Sequence, residues 1–279
     1  MLHSRAATLF RHTPSKGYAT NNSTLGFHKI LVLNTPTRRD RRHTMEAQRR
    51  FHKLSFDYTL TFGPPEANRL ALEQGYLING THLACYLSHL HAYKRMVAEN
   101  IETALILEDD VDMELDVRER LAPIMARVHE EYGGDWDMLF VGHCTFDANE
   151  PGDLPYWGPP GRGPELYVAG YPMCMHAYAM TRECARRLAV VLEERLKTVG
   201  HDIDLVLAIG VQFGMSTVLG VSPPPIVQVG RGGLPSDLRQ PGEMDTGQRL
   251  DRSTLYHLGL RTSDPRLLPQ YIEWAITAD

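Results

Sequence analysis

Cysteine is scarce in this chain, and the four present (Cys85, Cys144, Cys174, Cys184) are far apart with no CxxC pair. That spacing suggests neither a zinc site nor a disulfide scaffold, and Cys85, on the inner side of a helix, reads as a core thiol. Long apolar runs are missing too, so no bilayer-spanning segment is expected. The net charge is −5 and no basic stripe accompanies it, which gives no reason to expect a nucleic-acid partner. Three nucleotide and hydrolase signatures are absent: GxxxxGK[ST], GxGxxG after the first strand, and GxSxG. Their absence argues against a P-loop kinase, a dinucleotide dehydrogenase and an α/β-hydrolase.

What remains is ordinary globular material, with 43% apolar and 23% charged residues in 279 positions. That is enough chain for one large domain or two small ones, with a substantial core. The first 27 residues differ: Arg5, Arg11 and Lys16 stand among Ser, Thr and Asn with no acid. This basic start fits a flexible tail or a transit peptide and lacks the apolar heart of a secretory signal. The compartment stays open between the secretory pathway and the cytoplasm.

From Lys29 onward, β and α patterns alternate. KILVLN (29–34) reads as a strand, 40–51 as a helix, 55–62 as a second strand broken by Gly63-Pro64-Pro65. Thr81 is a plausible N-cap for a helix to Asn100, with Leu83, Leu87, Leu90 and Val97 on one face. Asp116 and Glu119 have the capping-box spacing for the next helix, which contains Pro123. Strands are expected at 136–141 and 176–180, a helix after Thr181, and a short helix opened by Asp202-Ile203-Asp204. Residues 147–164, with four Gly and five Pro, read as a long loop. The fold class is therefore α/β, a single domain with a mixed, mostly parallel sheet flanked by helices. The domain is bounded at 28–240, with 241–279 a C-terminal extension packed on it or partly flexible.

The richest chemistry lies in ALILEDDVDMELD (104–116), where a buried strand ends in Glu108, Asp109, Asp110 and Asp112. Crowded carboxylates repel unless solvent, raised pKa values or a cation relieve them, and hard divalent cations prefer oxygen ligands. An EF-hand is excluded because Leu115 and Leu121 stand where Gly and Glu are required. A metal-using phosphohydrolase stays open on these residues alone.

Several stretches in order then resemble glycosyltransferase family 25. THLACYLSHLHAYKRMVAENIETALILEDDV (81–111) is similar to the family's CYLSHL helix leading into an ALILEDD strand. LNTPTRRDRRHTM (33–45) resembles INLDRRPDRRERM, DWDMLFVG (135–142) resembles DWDLLYLG, and HAYAMTRECARRL (176–188) resembles THAYLISRKGARKL. PPPIVQV with Ser236-Asp237 resembles a closing PPLVxQ…SDI. Two departures fall at Thr35-Pro36-Thr37 and at Leu60-Thr61-Phe62-Gly63.

The resemblance implies a GT-A-like fold with Glu108-x-Asp110 as the DXD-like element. It implies a metal-dependent inverting transfer of galactose or glucose from a UDP-sugar to a hydroxyl on a glycan, protein or lipid-linked acceptor. Asp110, helped by Asp109, would hold Mn²⁺ or Mg²⁺, and Glu108 would hydrogen-bond ribose or sugar. Asn34, Arg41, Arg42, Ser88 and Gln228 are donor-site candidates, against duller roles as a solvated helix start, core polar groups or a loop amide. Asp202 and Asp204 are alternative general bases, with His176 a further site candidate. A catalytically inactive relative that only binds is the rival reading.

Overall fold

The computed structural model describes residues 22–144, 164–212, 214, 216–229 and 250–261. The expected tail up to residue 21, the predicted loop at 147–163 and Ser236-Asp237 lie outside them. The described strands are β1 (Lys29–Leu33), β2 (Phe56–Thr59), β3 (Thr103–Glu108), β4 (Val111–Met113), β5 (Met138–Cys144), β6 (Glu165–Val168), β7 (Met173–Thr181), β8 (Val218–Ser222) and β9 (Ile226–Gln228). The helices are α1 (Arg39–Phe51), α2 (Pro64–Gln74), α3 (Gly80–Ala98), α4 (Val117–Tyr132), α5 (Arg182–Thr198), α6 (Ile203–Gln212) and α7 (Thr254–His257).

Seven strands form one sheet in the order β2-β1-β3-β7-β5-β8-β6. The pairs β2–β1, β1–β3 and β5–β8 are parallel, while β7 and β6 run against their neighbours. The expected mixed α/β architecture is thus present. Successive residues of each central strand serve opposite faces. Leu31, Leu33, Ala104, Ile106, Tyr178 and Met180 pack with α3 and α5. Ile30, Val32, Leu105, Leu107, Ala177 and Ala179 pack with α1 and α4. Burial on both faces explains why β1 and β3 are continuous apolar runs rather than alternating ones. No helix among the described residues is long and apolar enough to cross a membrane.

Several boundaries differ from the sequence expectation. β2 ends at Thr59, ahead of Gly63-Pro64-Pro65, and that triplet instead starts α2, because proline at the first helical positions forfeits no intrahelical hydrogen bond. Thr81 is not the cap of α3. The helix begins at Gly80, whose amide donates to Asn68 Oδ1 on α2 at 2.7 Å. Asp116 precedes α4 without capping it, since its carboxylate accepts from Arg120 at 2.9 Å and pairs with Arg252 at 2.5 Å. Thr181 caps α5 as expected, accepting from the Cys184 amide. Leu25 and Phe27, read as tail, are buried against the core. The reading that excluded a disulfide is also corrected: Cys144 and Cys174 are bonded. They lie 30 residues apart, and only the β5–β7 pairing brings them together.

Asp112, read as part of the acidic cluster, turns the other way and ties down residues 250–261. It is fully buried and accepts from Ser253 Oγ at 2.5 Å, from the Leu255 amide at 3.1 Å and from Arg261 at 3.2 Å. Glu114 accepts from the Asp251 and Arg252 amides. Asp112→Ala leaves the Arg261 guanidinium buried without its carboxylate. It should lower unfolding stability by about 3–5 kcal/mol, checked by urea denaturation.

Candidate active site

β1 and β3 are parallel neighbours, with Leu33 opposite Glu108, so both chains leave the sheet at the same edge. Such an edge is where α/β sheets place ligands. Asn34 follows β1, and its side-chain amide donates to Asp109 at 2.7 Å. One turn into α1, Arg41 returns to the same carboxylate at 2.8 Å and approaches Asp110 at 3.5 Å. Arg41 is itself buried; burial works against its charge, and Asp110 and Asp109 keep it cationic.

The two aspartates are therefore not equivalent. Both Asp109 oxygens accept hydrogen bonds, from Arg41 and Asn34. Asp110 accepts from Gln228 at 3.2 Å on one oxygen, while its other oxygen is buried with no hydrogen-bond partner among the described residues. Burial first, then Glu108 and Asp109, push the Asp110 carboxyl up to about 7 against the pull of Arg41. Three carboxylates face one guanidinium here, and an orphaned oxygen on a hard-ligand group suits a divalent cation. The residues fit the expected Mn²⁺ or Mg²⁺, with Asp110 as its natural ligand and Asp109 as the anchor of Arg41.

These groups line a cavity of about 350 Å³. Its wall includes Arg41, Ser88, Glu108, Asp109, Asp110 and Gln228 from the sequence candidates. Ser88 donates to the Ala84 carbonyl and accepts from the Phe62 amide at 3.1 Å, which fixes the segment after β2 as the cavity's side. Asn34 supports Asp109 from behind and Arg42 is elsewhere, its guanidinium 3.3 Å over the Tyr58 ring. Arg42 was grouped with Arg41 from adjacency alone, but on a helix neighbouring residues point about 100° apart.

A second cavity of about 180 Å³ adjoins the first and shares Cys85, Glu108 and Gln228 with it. It gathers His176, Asp202 and Asp204, the three residues offered as catalytic, with His82 and Cys174. Asp202 is exposed and held by His82 at 2.7 Å. Asp204 is half-buried, and burial, Asp202 and Glu108 raise its pKa although the Leu205 and Cys174 amides oppose this. His176 is fully buried against Gly142, where an added Cβ would fall 2.8 Å from its Nε2 and 2.4 Å from the Ile226 carbonyl.

Thr35, Thr37, Thr61 and Phe62, from the two segments that depart from the family pattern, line the first cavity, whereas sequence reasoning missed Arg38 there and His82, Cys85 and Cys174 in the second. Cys85 could have been found, since it lies one helical turn before Ser88 and His89 and so shares their face. Burial and Glu108 push its thiol pKa well up, which makes it a poor nucleophile. Cys174 carries no such signal.

The raised Asp110 pKa has a stability consequence with a definite sign. A carboxyl titrating higher in the folded than in the unfolded protein contributes stability below its unfolded pKa and loses it as pH rises through about 7. In metal-free protein, Asp110→Asn should therefore raise unfolding stability above pH 7, by on the order of a few kcal/mol, and have little effect near pH 4. Denaturation at the two pH values checks this.

Residues 27–133 match a family described as glycosyltransferase family 25 (LPS biosynthesis protein). Procollagen galactosyltransferase 1-A of Xenopus laevis is 24% identical over 143 residues, 46% of this chain and 23% of that protein. Procollagen galactosyltransferase 2 of Homo sapiens is 25% identical over 46% of this chain and 22% of its own length. Inactive glycosyltransferase 25 family member 3 of Homo sapiens is 28% identical over 60% of this chain and 29% of its own. The chain thus spans less than a third of these relatives. The crystal structure of a glycosyltransferase involved in glycosylating the major capsid of PBCV-1 aligns at 13% identity, covering 72% of this chain and 91% of that one, with a TM-score of 0.45. The strand-end carboxylates and the helix that faces them fall inside the matched segment, residues 27–133, which is similar to glycosyltransferase family 25.

Proposed function

We propose that this protein is a metal-dependent inverting hexosyltransferase that moves galactose or glucose from a UDP-sugar to an acceptor hydroxyl. The observation that carries this reading is the orphaned Asp110 oxygen in a cavity where three carboxylates meet one buried arginine. Asp110 would hold Mn²⁺ or Mg²⁺, which when bound supplies neutralisation of the charge on the departing diphosphate. Arg41 sets the Asp109–Asp110 turn, and Glu108 hydrogen-bonds a donor sugar or ribose hydroxyl.

The second cavity suits the acceptor, because it opens onto the first at Glu108 and Gln228. Of the two candidate bases we favour Asp204, since Asp202 is committed to His82 while burial raises the proton affinity of Asp204. Asp204 takes the acceptor O–H proton as that oxygen bonds to the anomeric carbon. The bond from that carbon to the diphosphate breaks on the opposite face, so the configuration inverts. The galactosyl activity named in the procollagen relatives supports galactose. Glycan, protein and lipid-linked acceptors all fit a cavity of this kind.

The similarity to inactive family member 3 favours a second reading, a binding protein without turnover. The two separate in one set of experiments. UDP release from UDP-galactose and UDP-glucose should require Mn²⁺ or Mg²⁺ and fall roughly 100-fold or more in Asp110→Ala. Asp204→Asn should lose turnover while UDP with Mn²⁺ still binds calorimetrically. Metal-dependent binding without turnover in the wild type would establish the inactive reading instead.

A further inference from the structure

Cys85 and His89 carry chemistry that the hexosyltransferase reading does not use, and they face Glu108, which that reading assigns to a donor hydroxyl. Cys85 and His89 are one turn apart on α3, and Glu108 ends β3 opposite them. Their sulfur, ring nitrogen and carboxylate oxygen all lie within 4.8 Å of one another. All three line the first cavity, and Cys85 and Glu108 also line the second. We propose that these side chains form a separate site for a thiophilic divalent cation of the Zn²⁺ class at the junction of the two cavities.

The donor set differs in kind from that of Asp110. Thiolate, imidazole and one carboxylate suit Zn²⁺, whereas an all-oxygen set suits Mg²⁺ or Mn²⁺. Three protein ligands with the fourth position open to a cavity is the pattern of an accessible zinc centre. Ligand atoms around a tetrahedral zinc are roughly 3.3–3.8 Å apart. Closure by about an ångström therefore suffices, which a side-chain rotation at Cys85 or Glu108 provides.

The surroundings of His89 orient it for this role. Its Nδ1 is 2.9 Å from the Tyr178 hydroxyl, which donates onward to Tyr93 at 2.9 Å. With its own hydrogen spent on Tyr93, the Tyr178 oxygen accepts from Nδ1–H, and Nε2 lies 3.3 Å from Glu108 Oε1. A partner on the far ring nitrogen is also what fixes metal-binding histidines. Binding expels the Cys85 thiol proton to solvent and leaves the thiolate on the metal. No oxidation or reduction is involved. A cation held here occupies the passage between donor and acceptor compartments and would block transfer.

The site is independent of whether the protein turns over a sugar nucleotide, and so is its test. The full-length protein, with its disulfide intact, is titrated with Co²⁺. A near-ultraviolet thiolate-to-cobalt band should appear, vanish on adding Zn²⁺, be absent in Cys85→Ser and persist in Asp110→Asn. Tyr178→Phe should weaken Zn²⁺ affinity roughly 10-fold or more. No band in the wild type, or an unchanged band in Cys85→Ser, overturns the proposal. Loss of the band in Asp110→Asn would show one shared site and overturn it as well. Should Cys85→Ser fail to fold, alkylation of Cys85 in the native wild type, mapped by mass spectrometry, replaces it. Saturating Zn²⁺ should slow that labelling at least 10-fold, and an unchanged rate overturns the site.

Discussion

Every feature of the site follows from burying Arg41 against Asp109 and Asp110. A guanidinium out of water is tolerated only with its charge and donors met, and the aspartates at the end of β3 meet them. The pair joins α1 to the β1–β3 edge and freezes the Asp109–Asp110 turn. It also leaves an imbalance, because Glu108 adds a third carboxylate. His89 meets Glu108 on one side, while one Asp110 oxygen is buried without a hydrogen-bond partner among the described residues. Glu108, Asp109 and Asp110 thus gather at one end of the cavity around a single buried guanidinium.

The same edge is anchored from behind by a second set of buried carboxylates. β4 begins directly after Asp110 and pairs with β9, which carries Gln228 back to Asp110. Asp112 and Glu114, on and just after β4, hold residues 250–261 through backbone amides and Arg261. Within seven residues the chain therefore passes from three consecutive carboxylates that line the cavity, Glu108 to Asp110, to two that organise structure, Asp112 and Glu114. The turn at Asp109-Asp110 between β3 and β4 separates the two sets, since Asp110, Asp112 and Glu114 at two-residue spacing would share one face of a continuous strand. It is why an acidic run that looks uniform in composition divides its labour in space.

The cavities meet where the sheet edge, α3 and α6 converge, and the division of ligand types follows. Oxygen donors collect at the Asp110 end. Sulfur and imidazole come from α3, because Cys85 and His89 share the face turned toward Glu108. Phe62 and Ser88 close one side, and the disulfide-linked Cys174 lends its amide to Asp204 at 3.4 Å on the other. Relatives named as galactosyltransferases and one named as inactive are both similar to this chain.

Much of the framework was legible in the linear pattern. The buried runs of β1 and β3, the face of α3 and the strand-end carboxylates were visible because each reflects local periodicity or charge within a few residues. Asp202, Asp204 and His176 were named from motif and position, and the structure gathers them in one cavity. The division between Asp109 and Asp110, the outward turn of Arg42 and the inward anchoring of Asp112 were not legible, because each depends on which distant group arrives opposite. β4, β9 and the Cys144–Cys174 bond escaped for the same reason, being short or isolated in sequence and defined only by a partner strand. Local sequence set the types of groups available at the sheet edge; long-range packing decided which of them are neutralised and which stay exposed to a ligand, since desolvation and pairing act through space and not along the chain.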